Sequence, residues 1–416
     1  MKQASLITIG NELLSGQTVN TNAAYLGRQL LSLDIPVVRQ HSVPDELDAI
    51  KQALSLASEE ADIVLVTGGL GPTDDDLARQ GLANFLGVDL KVCDDLLDDI
   101  KAMFAVRNKP MPGINRVQAA LPEGTAAIAN AYGTAPGIEA RFKGTAYFCM
   151  PGVPTEMRHM FTDSVVPVLK RMTGKQAIEV RKLKCVGIGE STLAEKLGDA
   201  MQRDRNPLIN CTVDCGIITL HIIGKSATRD QAAQLVADEA VRLREILGPW
   251  VFGTGDQTLV AVIGKRLCEQ GKTLSLAESC TGGLIAKYIT DCPGASRFFT
   301  FGWVTYSNEA KTSQLKVPKE IIEQYGAVSK QVAEAMAIGA RRQSNTHYSI
   351  AVTGVAGPEG GTKDKPVGLV FIGIDSDMGC TVERFLFSHD REFVRQRTVQ
   401  AALYGFHKKL CFDLPQ

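Results

Sequence analysis

Two short segments in the carboxyl-terminal part of the chain contain side chains that could perform nucleophilic chemistry. Ser279 lies in AESCTGG, residues 277–283, where an apolar strand ends and a helix is predicted to begin. Tyr306 and Lys311 follow a second apolar strand, in the segment TYSNEAK. A serine hydroxyl needs a base to become a nucleophile, and a desolvated, neutral lysine can take its proton with a tyrosine as relay. The spacing therefore favours Ser279 as nucleophile and Lys311, assisted by Tyr306, as base.

The same residues have other interpretations. At a strand-to-helix junction, Ser279 could instead cap the helix. Cys280 is a rival nucleophile because a thiol is intrinsically more reactive than a hydroxyl, although no histidine stands near it. The six histidines are dispersed and fit no catalytic triad: they are His41, His159, His221, His347, His389 and His407.

Glycine-rich turns accompany these side chains and could bind a substrate through their backbone. At the start of a helix the first N–H groups have no partner within the helix, so we expect those after Ser279 to be free for an anion or oxyanion. A third loop, TGVAGP at residues 353–358, ends another buried strand. We expect substrate binding by residues of these two turns: Cys280, Thr281, Gly282, Gly283, Thr353, Gly354 and Gly357.

The amino-terminal part of the chain contains a different kind of loop, GGLGPTDDD at residues 68–76. Successive N–H groups in such a turn bind anions, but the neighbouring carboxylates repel phosphate unless a cation intervenes. The loop therefore predicts a metal-bridged phosphate site, although a solvated acidic helix start is the alternative. We expect Asp75 and Asp76 to bind the metal. The remaining phosphate or nucleotide contacts are expected from Glu12, Gly68, Gly69, Gly71, Thr73, Pro151 and Gly152.

The elements that position these loops follow an α/β pattern. Residues 4–67 alternate apolar strands with amphipathic helices, which indicates a doubly wound parallel sheet that binds ligands at the carboxyl ends of its strands. We predict three domains. They are an α/β domain at 1–170, a small α+β domain at 171–252 and an α/β domain at 256–416. The middle domain resembles a KH module but lacks the G-x-x-G loop, which favours a spacer or dimerisation role over nucleic-acid binding.

Composition excludes several functions. The 416 residues carry a net charge of -1, so bulk electrostatics gives no reason to bind nucleic acid or an anionic membrane. The ten cysteines are scattered without a C-x-x-C pair, which argues against structural zinc and favours reduced thiols in a cytoplasmic protein. No apolar run approaches the length of a membrane span.

The segments AESCTGG, VTYSNEAK and TGVAGPEGGTKDKPVG, in this order, resemble the nicotinamide mononucleotide deamidase domain. With the amino-terminal loops, the whole chain resembles the competence- and damage-inducible protein CinA family. The resemblance implies a cofactor-free amidohydrolase domain that converts nicotinamide mononucleotide to nicotinic acid mononucleotide and ammonia. It assigns the catalytic roles of that domain to Ser279, Tyr306 and Lys311.

The amino-terminal loops are similar to the molybdopterin-binding-like fold. Its pattern GG-x-G-x-T-x-x-D is matched by Gly68, Gly69, Gly71, Thr73 and Asp76. In the family this domain is linked to ADP-ribose pyrophosphatase activity, which implies a divalent cation (Mg, Mn or Co), K⁺ as a helper, and cleavage to AMP and ribose 5-phosphate. We expect both nucleotides as ligands and a homodimer. The alternatives are a pterin- or nucleotide-binding module without catalysis, and an interaction protein of competence or DNA repair.

Overall fold

The structure is a computed structural model that describes residues 2–173 and 177–412. In these residues, no helix combines the length and apolar character that crossing a membrane requires. The chain forms two units of two segments each: Met1–Glu179 with Lys225–Ala233, and Val180–Gly224 with Gln234–Gln416. The acidic glycine loop belongs to the first unit, and both Ser279 and Lys311 belong to the second.

The first unit is built on a six-stranded sheet. Its strands and those of a two-stranded ribbon are β1 (Ala4–Ile9), β2 (Val37–Val43), β3 (Ile63–Thr67), β4 (Leu90–Val92), β5 (Ala120–Pro122), β6 (Ala126–Ile128), β7 (Gly137–Phe142) and β8 (Thr145–Met150). The order is β2-β1-β3-β8-β7-β6, and β4 pairs with β5. Strands β2, β1, β3 and β8 are parallel, so the loops after β1, β3 and β8 lie at one edge of the sheet.

Helices cover both faces of this sheet. The helices of this unit are α1 (Asn11–Leu14), α2 (Thr21–Ser32), α3 (Leu47–Glu60), α4 (Ala78–Leu86), α5 (Asp94–Val106), α6 (Pro154–Met160) and α7 (Val166–Met172), with a 3₁₀ turn at Gly113–Ala119 and a π turn at Phe161–Val165. Side chains of α2, α6 and α7 form a core on one face, and those of α3 and α4 form a core on the other. Because β1 and β3 are buried on both sides, their sequences are mostly apolar and do not alternate with charged residues. The predicted doubly wound fold is confirmed.

The middle part of the chain is the small α+β module that the sequence predicts. It contains β9 (Ala177–Val186), α8 (Glu190–Leu197), β10 (Leu208–Asp214), β11 (Ile217–Ser226), α9 (Arg229–Leu247) and β12 (Val251–Thr254), with 3₁₀ turns at Gly198–Met201 and Gly248–Trp250. The sheet has the order β10-β11-β9-β12. Leu183, Leu193, Leu220 and Leu243 are central members of its core.

The carboxyl-terminal part is a five-stranded sheet between two helical layers. Its elements are α10 (Leu259–Glu269), β13 (Leu274–Glu278), α11 (Leu284–Thr290), β14 (Phe299–Val304), α12 (Asn308–Leu315), α13 (Lys319–Tyr325), α14 (Lys330–Ser344), β15 (Tyr348–Gly354), β16 (Leu369–Ser376), β17 (Gly379–Leu386) and α15 (Arg391–Phe412), with a 3₁₀ turn at Ala295–Arg297.

The order of this sheet, β14-β13-β15-β16-β17, explains why its loops converge. Strands β14, β13 and β15 are adjacent and parallel, while β16 and β17 are antiparallel. Helices α10, α11 and α15 pack on one face, and α12, α13 and α14 pack on the other. The segments that follow β13, β14 and β15 therefore meet at one edge, where the sequence places Ser279, Lys311 and Thr353.

Candidate functional site

Ser279 lies in a tight turn between β13 and α11. Its N–H donates to the Val352 carbonyl at 3.0 Å, which continues the pairing of β13 with β15 by one residue. Helix α11 begins only at Leu284, after Gly283 in a left-handed conformation with φ 93°. The turn therefore separates Ser279 from the helix, and Ser279 is not its cap.

Glu278 is the residue that caps α11. Its carboxylate is 1% exposed and accepts hydrogen bonds from the N–H groups of Gly283, Ile285 and Ala286 at 3.1, 3.0 and 2.8 Å. A carboxylate at a helix start satisfies the unpaired N–H groups and the helix dipole together. The expectation that these N–H groups are free for a ligand is therefore wrong, because Glu278 occupies them.

Two other backbone N–H groups of the same turn are candidate donors for an oxyanion. Within the described residues, the N–H groups of Cys280 and Thr281 donate to no carbonyl oxygen. They follow Ser279 directly, which is the position of backbone donors in oxyanion holes of serine nucleophiles. The turn thus has candidate donors for an oxyanion three and four residues before the helix start at Leu284.

Lys311 reaches Ser279 from the first turns of α12. Its side chain is 1% exposed, and its Nζ lies 3.1 Å from Ser279 Oγ while donating to the Thr305 carbonyl at 2.8 Å. Ser307 caps α12 by accepting from the Ala310 N–H, and the Thr305 N–H donates to the Glu278 carbonyl. The two segments are therefore joined by backbone as well as by the Ser–Lys contact.

The electrostatics of Lys311 favour a neutral amine. Burial lowers the pKa of Lys311, against a smaller opposing influence of Cys280 and Glu309. Among the described residues, no carboxylate forms an ion pair with it. An ammonium that is desolvated and unpaired is costly, so the chain favours the form that can accept a proton.

Tyr306 lines the same cavity as Lys311, but among the described residues its hydroxyl bonds to Arg391 and not to the lysine. Its ring is 61% exposed, and its hydroxyl accepts a hydrogen bond from Arg391 Nη2 at 3.0 Å. Arg391, at the start of α15, also donates to the Gly357 carbonyl at 2.7 Å. Arg391 was not predicted from the sequence, since nothing near it in the chain marks it as a partner of Tyr306.

Cys280 is buried beside the pair. Burial raises the pKa of its thiol to about 12. At neutral pH the sulfur therefore keeps its proton, and a protonated thiol is a poor nucleophile. The electrostatics favour Ser279 over Cys280.

A cavity of about 210 Å³ opens onto these residues. Of the predicted substrate-binding residues, Cys280, Thr353 and Gly354 line it, and Asn308 lines it without having been predicted. The remaining four are not part of its wall: Thr281, Gly282, Gly283 and Gly357. The Thr353 hydroxyl donates to the Ala327 carbonyl at 2.8 Å, so it fixes the opposite wall.

The first unit has its own cavity, of about 440 Å³, at the carboxyl ends of β1, β3 and β8. All nine residues predicted for the phosphate and metal site line it: Glu12, Gly68, Gly69, Gly71, Thr73, Asp75, Asp76, Pro151 and Gly152. Two further acidic residues that the sequence did not single out, Asp45 and Glu156, also line it. The cavity therefore combines a glycine loop with five carboxylates.

The glycine loop is braced from within. The Asp76 carboxylate accepts from the Gly71 N–H at 2.7 Å, the Thr73 N–H at 2.9 Å and the Thr73 hydroxyl at 2.6 Å. From behind, the buried guanidinium of Arg79 donates to the Leu70 and Gly71 carbonyls. Asp76 thus holds the loop, and two of the N–H groups expected to bind phosphate are taken by its carboxylate.

The carboxylates of this cavity suit a hard cation that is bound together with a substrate. Within the described residues, no three side chains of His, Cys, Asp or Glu are grouped to enclose a metal. Glu12 and Asp75 both present carboxylates to the cavity, and a hydrogen bond with Thr73 lowers the pKa of Asp75. Asp45 accepts a hydrogen bond from the Asn11 N–H, and Glu156 accepts one from Asn130. Mg²⁺ is typically held by one or two carboxylates together with substrate phosphates, so these residues fit such an ion.

Comparison with known proteins agrees with this architecture of two α/β parts joined by a small α+β module. The chain matches the probable molybdopterin binding domain at residues 5–171, the damage-inducible protein CinA KH domain at 180–253 and the CinA C-terminal domain at 256–410.

Similarity extends over the full chain. A protein of Moorella thermoacetica named as competence-damage inducible is 42% identical over 409 residues, covering 98% of this chain and 99% of its own. A protein of the same name from Caldicellulosiruptor bescii is 40% identical over 407 residues, 98% of this chain and 99% of its own. The solved protein CinA of Thermoplasma acidophilum, with 38% identity and a TM-score of 0.38, covers 40% of this chain and 98% of its own. The chain belongs to the competence- and damage-inducible CinA family.

Proposed function

We propose that the second unit is an amide hydrolase that converts nicotinamide mononucleotide to nicotinic acid mononucleotide and ammonia. The observation that supports this reaction class is the buried Lys311 Nζ at 3.1 Å from Ser279 Oγ. The choice of substrate is supported by the motifs AESCTGG, VTYSNEAK and TGVAGPEGGTKDKPVG, which resemble the deamidase domain.

The proposed reaction uses one nucleophile and one proton carrier. The neutral Lys311 amine accepts the Ser279 proton while Oγ forms a bond to the carboxamide carbon. Lys311 then gives that proton to the amide nitrogen as the C–N bond breaks, so ammonia leaves and an ester of Ser279 remains. Water adds to the ester carbon, and Lys311 moves the proton of that water to Ser279 Oγ as the ester bond breaks.

The negative charge that develops on the carboxamide oxygen needs donors. The N–H groups of Cys280 and Thr281 are the candidates, because they donate to no carbonyl oxygen in the described chain. One such donor is typically worth about 3–4 kcal/mol in the transition state. These donors belong to the backbone, so they do not depend on which side chains stand at positions 280 and 281.

The test is ammonia release from nicotinamide mononucleotide by Ser279→Ala and by its neighbour variant Cys280→Ala. We expect Ser279→Ala to lower kcat at least about 10³-fold, because the nucleophile is lost. Cys280→Ala should keep kcat within about threefold, since its thiol is protonated. Wild-type turnover by Ser279→Ala, or loss of turnover in Cys280→Ala alone, would refute the assigned nucleophile.

We also propose a second activity, the hydrolysis of ADP-ribose to AMP and ribose 5-phosphate at the cavity of the first unit. It is supported by the glycine loop, which lies beside carboxylates that line the same cavity. Glu12 and Asp75 would hold a divalent cation, which when bound would polarise the diphosphate. Among the described residues, the N–H groups of Gly69 and Leu70 donate to no carbonyl or carboxylate, so they can contact phosphate oxygens.

AMP formation from ADP-ribose with Mn²⁺ or Mg²⁺ tests this second activity. Asp75→Asn should lower it at least about tenfold, because one metal ligand is lost. The matched control is Asp74→Asn, whose side chain is exposed in the same acidic run and does not line the cavity. Binding of ADP-ribose without AMP formation would support the non-catalytic module instead.

A further inference from the structure

The middle module packs closely on helix α15 within the second unit. Gly187, after β9, and Gly216, in the turn between β10 and β11, both have positive φ values, of 77° and 89°. A β-carbon at Gly187 would overlap the ring of Tyr404, and one at Gly216 would overlap the guanidinium of Arg397. Both turns thus need glycine for their backbone conformation, and a side chain at either position would displace the outer end of an α15 side chain.

Further contacts continue this interface. The Cys215 thiol donates to Gln396 Oε1 at 2.9 Å. Val186 and Phe252 of the middle module belong to the same buried core as Val399 and Leu403 of α15. The middle module is therefore not a free spacer in this unit, since its side chains complete the core beneath the helix.

The first two turns of α15, just before these contacts, hold the walls of the candidate active site. Arg391 donates to the Gly357 carbonyl and to the Tyr306 hydroxyl. One turn later, Arg395 Nη2 donates to the Thr281 carbonyl at 2.8 Å, within the turn that carries Ser279. With its first two turns, helix α15 therefore contacts the turn that carries Ser279, the Tyr306 hydroxyl and the loop at residues 353–358.

We propose that the middle module is a positioning element of the deamidase site, which acts through α15 by way of Gly187 and the Cys215–Gly216 turn. The inference rests on the proposed deamidase function. A helix that is rigid over its length transmits a displacement at Tyr404 or Arg397 to Arg391 and Arg395. Misplacement of groups around a nucleophile lowers the rate even when every catalytic side chain is present.

The central experiment is a double-mutant cycle with Gly187→Ala and Tyr404→Ala. Gly187→Ala forces the Tyr404 ring and α15 away, so we expect kcat for ammonia release to fall about tenfold or more. Tyr404→Ala alone should lower kcat about threefold. The double variant should lose less than the product of the two single losses, because the overlap with the ring is gone and only the backbone strain at Gly187 remains. Effects that multiply in the double variant would overturn the proposal.

A matched control lies two residues away. Gly189 has an ordinary φ of -78°, and a β-carbon there would meet open space. Gly189→Ala should therefore leave kcat unchanged. Activities are compared per folded molecule at a temperature where every variant is folded, because a purely structural effect would lower the folded fraction and leave kcat intact.

Hydrogen exchange separates failure of this inference from failure of the proposed function. If the wild-type protein releases no ammonia, the deamidase assignment fails, but the coupling can still be measured. Faster exchange of the backbone amides of 279–283 and 391–395 in Gly187→Ala, without change in Gly189→Ala, would support positioning. Unchanged exchange in both variants would overturn it.

Discussion

Each of the two cavities lies at the carboxyl ends of parallel strands and has one buried basic side chain beside it. In the second unit this is Lys311, 1% exposed, and in the first unit it is Arg79, 2% exposed. Burial lowers the pKa of both groups. A lysine can lose its proton under such conditions, whereas an arginine stays charged. Lys311 can therefore carry a proton, while Arg79 braces the glycine loop by donating to its carbonyls.

The two cavities also differ in whether catalysis there would need a cation from solution. The second unit contains the proposed nucleophile and base, Ser279 and Lys311, together with backbone N–H groups after Ser279 that donate to no carbonyl oxygen among the described residues. The first unit offers carboxylates and a glycine loop but no side chain placed as an activated nucleophile among its described residues. If both proposed functions hold, the site of the second unit is complete as a folded chain, and the site of the first unit requires a cation. The predictions below test this division.

Metal removal should give the largest difference between the activities of the two units. Dialysis against a chelator should abolish AMP formation from ADP-ribose and leave ammonia release within about twofold, because only the first unit needs a cation to polarise its substrate. The two assays are run on one preparation, and Mn²⁺ is then restored. Loss of both activities on chelation would contradict a metal-free Ser–Lys site.

Replacement of the buried lysine should affect catalysis far more than stability. Lys311→Met should lower kcat for ammonia release about 10³-fold, since a general base typically contributes 10²–10⁴-fold. Its free energy of unfolding should change by less than about 1 kcal/mol or rise, because an apolar side chain avoids the desolvation of an amine. Thermal unfolding and steady-state kinetics measure both.

The matched control for this variant is Lys316→Met, at the end of the same helix, where the side chain is exposed. It should leave kcat and stability unchanged. A loss of stability of several kcal/mol in Lys311→Met with only a small loss of kcat would identify Lys311 as a structural residue.

The pH dependence of kcat/KM should report the titration of the Lys311 amine. Only neutral Lys311 accepts a proton, so kcat/KM should rise about tenfold per pH unit and level off above its pKa. Since burial lowers this pKa, the plateau should begin below the ordinary lysine value of 10.5. The folded chain binds fewer protons than the unfolded chain between the two pKa values, so the free energy of unfolding should also rise with pH there.

A pH–rate profile of Cys280→Ala is the control for this assignment. The thiol of Cys280 has a pKa of about 12 and only a small raising influence on the pKa of Lys311, so its removal should keep the rise of the profile and lower its midpoint slightly at most. A profile that is flat, or that falls with rising pH, would exclude a neutral lysine as base.

Much of the fold can be predicted from local pattern, because β3 and β15 are short apolar runs and the helices between strands have regular apolar spacing. Ser279 and Lys311 can also be expected to meet, since both follow neighbouring parallel strands. The functions of Glu278 and Arg79 could not be predicted. The Glu278 side chain folds forward onto the next helix, and Arg79 reaches back to the loop before its own helix. Such contacts depend on side-chain direction, which sequence spacing does not specify.

The smallest expected effect is that of replacing Tyr306. Its size tests whether the proton reaches Lys311 directly or through the Tyr306 hydroxyl. Because the Tyr306 hydroxyl is exposed and bonded to Arg391, Tyr306→Phe removes one hydrogen bond at the rim of the cavity. We expect kcat/KM to fall about threefold with an unchanged pH midpoint. Tyr325→Phe, another exposed tyrosine of this unit, should have no effect. A loss of about 100-fold or more with a shifted midpoint would instead make Tyr306 a proton relay, reached by a movement of its ring toward Lys311 on substrate binding.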